Sequence, residues 1–291
     1  MTLSIEDWRE RGHFAELCGH RVFCVDTGEL DKPAILLIHG FPTSSWDWVH
    51  IWPTLDKTHR LVSLDMLGFG FSAKPDPHTY SIHEQADICE ALVRDRKLDS
   101  FHVLAHDYGD TVAQELLARQ NEGKGAGRWL SVCFLNGGLF PETHQARLIQ
   151  KLLLSPLGPL INWLSNKRQF ERSFSAVFGA ATRPSQQALD SFWALINENG
   201  GKHVFHNLIT YMADRKRHRE RWVRALQESV VPIGLVNGSA DPVSGAHMVE
   251  RYREVVCPDH YVAEFPDIGH YPQVEAPAET LDAYLRFLRQ V

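Results

Sequence analysis

Short runs of apolar residues recur along the chain, separated by stretches whose apolar positions fall three and four apart. Ala34 to His39, Arg60 to Asp65, Phe101 to Leu104, Leu130 to Leu135 and Pro232 to Asn237 are runs of the first kind. Lacking polar alternation, they have the pattern of strands buried on both faces. His20 to Thr27 mixes polar and β-branched residues and predicts a further strand, as does Tyr261 to Phe265. Between them the spacing turns helical. Ser44 to Leu55 predicts a helix interrupted at Pro53, and Ser81 to Lys97 one with Ile82, Ala86, Cys89, Leu92 and Val93 inward. Ser81 and Glu84 have the spacing of a capping box. Thr111 to Leu117 and Ala278 to Leu288 predict two more helices.

From Leu139 to about Glu228 the pattern changes. No strand is evident, and Leu, Phe and Trp recur at helical spacing with Pro141, Pro156, Pro159 and Pro184 as breakers. Strands alternating with helices imply a mostly parallel central sheet covered on both faces, and the strandless stretch reads as an insertion. The expectation is an α/β fold: residues 1–138 and 229–291 form the core domain and 139–228 an all-helical cap.

Composition narrows this only a little. A formal charge of -6 and a pI near 6.2 argue against a nucleic-acid partner, which calls for a basic face. No apolar run approaches the roughly 20 residues of a membrane span. The first residues, Met1 to Trp8, lack the basic-then-apolar order of a signal peptide. Five scattered cysteines without a CxxC pair suit a reducing compartment, so a cytoplasmic location is expected. Gly68-Phe-Gly-Phe-Ser-Ala73 loosely mimics a dinucleotide turn after a strand, but Pro75 and Pro77 follow where the helix should begin.

The chemistry gathers around Asp107. The run Phe101 to Leu104, then Ala105-His-Asp-Tyr-Gly109, then a helical stretch, has the order strand, sharp turn, helix. A nucleophile elbow has this form, and it needs small residues two before and two after the nucleophile. Ala105 and Gly109 meet that spacing around an aspartate. Asp241 follows the strand Pro232 to Asn237, and His270 follows the last strand. The order nucleophile, acid, histidine is that of the α/β-hydrolases, with reactive groups at the carboxyl ends of strands. The plainer alternatives are a helix cap for Asp107, an Asx-turn before Pro242 for Asp241 and a loop histidine for His270. His106, Asp65 and Asp110 read as structural.

With these motifs in place, the chain resembles the epoxide hydrolases and haloalkane dehalogenases of the α/β-hydrolase fold. The motifs are His39-Gly-Phe-Pro42 with Trp48, Asp65-Met-Leu-Gly-Phe-Gly-Phe-Ser72, His106-Asp-Tyr-Gly109 and Gly269-His-Tyr-Pro-Gln-Val-Glu275. Asn136 to His144 and Arg221 to Leu226 resemble the mesoderm-specific transcript branch of that group. The resemblance implies that Asp107 attacks a saturated carbon to give an ester, which water then hydrolyses. His270 would be the base for that water and Asp241 its orienting partner. The backbone N–H groups of Phe41 and Tyr108 would form the oxyanion hole.

The resemblance also separates two electrophiles. Dehalogenases keep a tryptophan directly after the nucleophile and an Asn or cap Trp as a second halide donor. Here Tyr108 and Phe41 stand near the nucleophile instead. Fluoroacetate-type enzymes use arginines after the nucleophile, where this chain has Tyr108 and Thr111. An epoxide oxygen needs a proton, which a phenol can supply. Tyr211 matches the family's second ring-opening tyrosine, and His144 is the candidate substitute for the first. The expected function is a cofactor-free, metal-free epoxide hydrolase acting on a hydrophobic epoxide and water to give a vicinal diol. The alternatives are a haloalkane dehalogenase with the same triad and a non-catalytic ligand-binding hydrolase fold. Trp163, Phe174, Phe178 and Trp193 suit either a hydrophobic substrate or the packing of the cap, and a homodimer is left open.

Overall fold

The computed structural model describes residues 3–145, 148–155, 157–257 and 259–291, with the side chains of 148 and 149 left out. Eight strands form one sheet: β1 (Gly12–Leu17), β2 (His20–Asp26), β3 (Ala34–Ile38), β4 (Arg60–Leu64), β5 (Ser100–His106), β6 (Arg128–Leu135), β7 (Ile233–Gly238) and β8 (Tyr261–Phe265). Their order is β1-β2-β4-β3-β5-β6-β7-β8. β1 and β2 pair antiparallel, as do β2 and β4, and the remaining neighbours are parallel. β3 and β4 are buried at every position, which is why β3 is wholly apolar and β4 is apolar save for Arg60 and Ser63.

β1 escapes the sequence pattern. It is an edge strand, mostly half-exposed, and Gly-His-Phe-Ala-Glu-Leu has no clean period. Ser44 to Leu55 is also not one helix. It forms a 3-10 turn, Ser45–Trp48, and a short helix, Trp52–Leu55, which Pro53 begins rather than interrupts. Pro159 and Pro277 likewise sit in first turns, where a missing N–H leaves nothing unpaired. Pro156 lies outside the described residues. Ser81 caps the helix Ile82–Asp95 by accepting from the Glu84 N–H at 3.1 Å. The Glu84 carboxylate does not complete the box; it turns to His78 instead.

Two apolar layers hold the sheet. One face packs against the helices Ile82–Asp95, Tyr108–Asn121 and Ala246–Val255, through side chains such as Ile88, Val112 and Met248. The other packs Trp8, Trp48, Trp52, Tyr284 and Phe287 against Ile35, Leu37 and Val236. Asp65 ties the loops at the carboxyl edge, as its structural reading requires. It accepts from the Ser45 N–H at 2.8 Å and hydroxyl at 2.5 Å, and from the Phe71 N–H at 2.7 Å.

Between β6 and β7 the described residues form helices and turns only. This cap is fastened to the core through Glu115, which lies buried on the helix Tyr108–Asn121. It accepts from Arg221 Nε and Trp222 Nε1, both at 2.8 Å, and from Arg119 Nε at 3.0 Å. Burial raises the carboxyl's pKa, but the bonds from Arg221, Trp222 and Arg119 outweigh it and hold the group below its ordinary value. A depressed carboxyl contributes stability above its unfolded pKa of about 4.3, lost as pH falls through the folded value. Glu115→Gln should therefore lower the unfolding free energy by about 2–4 kcal/mol at pH 7. Urea melts of variant and parent should converge towards acid pH.

Candidate active site

β5 delivers the elbow. Asp107 follows its last residue with φ +48° and ψ -105°, and the helix Tyr108–Asn121 begins at the next residue. Such a backbone is strained for a non-glycine residue and persists only where its surroundings enforce it. Here they do so by close contact. A Cβ on Gly109 would meet the carbonyl oxygens of Ile38 and His39 at 2.4 and 2.6 Å, and one on Gly40 would meet His106 Nδ1 at 2.6 Å. Asp107 offers no side-chain cap to its helix, so the plainer reading of it as a helix cap fails. Its Oδ2 instead accepts from the Phe41 N–H at 3.1 Å.

Asp241 and His270 stand close by. His270 Nδ1 lies 2.7 Å from Asp241 Oδ2, and His270 Nε2 lies 3.7 Å from Asp107 Oδ1. Asp241 is held by more than one partner: Val243 N–H at 2.7 Å, Ser244 hydroxyl at 2.8 Å and Asn136 Nδ2 at 3.1 Å. Asn136, at the end of β6, thus orients the acid. His106 Nε2 donates to the His270 carbonyl at 2.8 Å, a structural part as expected, and burial pulls its pKa down to about 3. Glu275 secures the same loop by accepting from Gly269, Tyr271 and Gly179 N–H groups at 2.8–2.9 Å. This accounts for the motif Gly269 to Glu275 as a whole.

The charges are compensated pair by pair. Burial works to raise the Asp107 pKa, but the hydrogen bond and charge of His270, with the charge of Arg215, hold it well below the carboxylate range. Burial works to lower the His270 pKa, and Asp241 and Asp107 together push it well above the ordinary histidine value. Asp110, in the first turn of the same helix, is driven the other way: burial and Asp107 push its pKa well above the ordinary carboxylate value.

Arg215 is the residue that sequence reasoning missed. It comes from the cap helix Tyr211–Arg217, is almost wholly buried, and lies with Nη2 3.8 Å from Asp107 Oδ1. Its Nε donates to Thr111 Oγ1 at 2.8 Å, and Nη1 donates to His144 Nδ1 at 3.4 Å. The only sequence signal was a cation inside an amphipathic cap helix, which by itself has the look of a surface charge.

Tyr211 is buried, its ring 4.8 Å from Tyr108 and 6.3 Å from Phe41, with the Arg215 guanidinium 4.5 Å over it. Burial and then Asp107 raise its pKa; Arg215 opposes them. His144 is held neutral, its pKa lowered to about 4 by burial and Arg215, and its buried Nε2 has no partner among the described residues. Tyr108 packs its ring against Phe69 and Tyr211, away from the nucleophile's carboxylate.

A pocket of 110 Å³ reaches Asp107 and His270 between Phe41, Pro42, Phe174, Val243 and Tyr271. Its described lining includes neither Tyr211 nor His144, and no tryptophan. A larger cavity of 650 Å³, lined by Leu153, Ile161, Leu164, Trp193 and Phe205, shares Phe41, Pro42 and Phe170 with it. Of the aromatic residues expected in the cap, Trp193 lines this cavity, Phe174 and Phe178 pack on Tyr271, and Trp163 is exposed.

The sequence profile of the alpha/beta hydrolase family matches residues 35–283, and the chain belongs to that family. Within it the chain falls in the mesoderm-specific transcript-like branch. It is 45% identical over 299 residues to the mesoderm-specific transcript homolog protein of Bos taurus, covering 99% of this chain and 89% of the relative. It is 39% identical over 285 residues to the putative hydrolase LipZ of Mycobacterium tuberculosis, covering 98% of each. Among solved structures, a loop variant of haloalkane dehalogenase DbeA from Bradyrhizobium elkanii superposes with a TM-score of 0.81. Its sequence identity is 22% over 96% of each chain, which is a likeness of fold.

Arg215→Met should remove one of the charges that depress Asp107. The acidic limb of the kcat/KM profile should then move to higher pH by roughly 1 unit or more. An unmoved limb would show that the guanidinium does not act on the nucleophile.

Proposed function

We propose that the protein hydrolyses hydrophobic epoxides to vicinal diols through an ester on Asp107. The observation that carries this reading is a carboxylate, not a hydroxyl, on the elbow beside the His270–Asp241 pair, at the foot of an apolar cavity. A carboxylate displaces at saturated carbon, and the ester so formed supplies the carbonyl that water attacks.

The proton inventory closes over the two steps. The proposed resting site pairs an Asp107 anion with a His270 imidazolium, the direction in which each group's neighbours push its pKa. Asp107 attacks an epoxide carbon, the C–O bond opens, and Tyr211, which must turn from its buried place outside the pocket lining to reach it, protonates the departing oxygen while Arg215 stabilises the resulting phenolate. The ester is uncharged, so His270 loses the Asp107 contribution to its raised pKa. Its proton passes through solvent to the phenolate. Neutral His270 then takes a proton from water, the hydroxide adds to the ester carbon, and the Phe41 and Tyr108 N–H groups hold the oxyanion. Collapse releases the diol and restores Asp107 and imidazolium. Alkylation thus converts His270 into a base at the moment one is needed. His144 is the second candidate donor to the ring oxygen.

Tyr108 stands directly after Asp107, where a dehalogenase keeps its halide-holding tryptophan, and this favours an oxygen that is protonated over a halide that must be held. In heavy-oxygen water, a single turnover of styrene oxide should place the label in Asp107 and leave the first diol unlabelled. His270→Gln should accumulate an adduct of the epoxide's mass on Asp107. Full activity of Asp107→Ala would sink the reading, and bromide release faster than diol formation would move it to dehalogenation. Tyr211→Phe should lower the rate of ester formation by about 10²–10⁴-fold and leave ester hydrolysis unchanged in rapid-quench experiments.

A further inference from the structure

Away from the nucleophile, three side chains from separate stretches turn ligand atoms towards one another. They are His20 at the start of β2, His78 in the loop after β4, and Glu84 in the first turn of the helix Ile82–Asp95. His78 Nε2 lies 2.9 and 3.0 Å from the two Glu84 oxygens, and His20 Nε2 lies 3.5 Å from Oε1. All three ligand atoms fall within 4.8 Å of one another. The two imidazoles meet edge-on with centroids 5.5 Å apart. Glu84 is available because it does not complete the helix's capping box.

Two imidazole nitrogens and a carboxylate are a donor set for zinc. Tetrahedral coordination at Zn–N distances near 2.0–2.1 Å sets ligand atoms about 3.4 Å apart. The observed spacings need only small side-chain rotations to reach this. The side chains are each 22–23% exposed, so an ion can enter and a water can take the fourth position.

We propose that His20, His78 and Glu84 bind a divalent transition-metal ion, Zn²⁺ foremost, each imidazole coordinating through Nε2 with its proton on Nδ1. The ion clamps the start of β2 to the loop and helix that seat the cap. The Ile82 N–H donates to Asp214 of the cap at 3.2 Å, and Asp214 adjoins Arg215. Tyr80, whose ring lies 4.8 Å from that of His78, closes on Gly68 together with Leu208 of the cap. The site therefore braces the cap's footing.

Metal-free protein, prepared with chelator and dialysed, is titrated with Zn²⁺ alone by calorimetry, and its thermal unfolding is followed in parallel. One ion should bind per chain. With free Zn²⁺ at 100 times Kd, the midpoint should rise by roughly 4–5 °C. His78→Ala and Glu84→Gln should each weaken this binding at least about tenfold and abolish most of the rise. Glu84→Gln, close in shape to the parent, carries the test if His78→Ala does not fold. Absence of binding below millimolar Zn²⁺, or variants that titrate like the parent because the ion sits on other histidines, would overturn the proposal. None of these readouts depends on the chemistry at Asp107.

Discussion

Four charged groups share a buried space at the carboxyl ends of β5, β7 and β8: Asp107, His270, Asp241 and Arg215. An isolated buried ion is penalised so heavily that it would normally shed its charge. That constraint governs the arrangement. Asp241 keeps its charge because Val243, Ser244, Asn136 and His270 surround it with donors. Asp107 keeps its charge because a cation stands on either side. Asp110, three residues away and without a side-chain hydrogen bond, has its pKa pushed up by burial and by Asp107, against the weaker pull of Arg215 and His270.

The elbow itself illustrates how backbone strain and electrostatics are joined. Positive φ at Asp107 turns its side chain from the helix towards the Phe41 amide, and the contacts at Gly40 and Gly109 leave no room for another course. Glu275 then fixes the loop of His270 with backbone bonds, so the base approaches from a set direction. Preorganisation of this kind means that few groups need to move when charge shifts between them.

Much of this was legible in the sequence. Buried parallel strands are mostly apolar without alternation, so β3, β4, β6 and β7 announced themselves, and the breakdown of that pattern after Leu139 marked the inserted helices. β1 was hidden because an edge strand with one half-wet face needs no strict alternation. The pieces of the site that lie at strand ends were found because topology gathers such ends together. Arg215 was not, because its place depends on how one cap helix crosses the nucleophile's helix, a tertiary fact with no local signature. The Glu84 carboxylate was misassigned for a related reason: its spacing from Ser81 is right for a box, but His78 six residues earlier and the distant His20 compete for it.

The Arg215 guanidinium that faces Asp107 resides on the insertion, while Asp107 resides at the end of a sheet strand. The two parts are therefore not interchangeable modules. A foreign cap grafted onto this core would bring a new cavity shape but would leave Asp107 short of a positive neighbour. Conversely, this cap on another core would carry a buried cation with nothing to answer it.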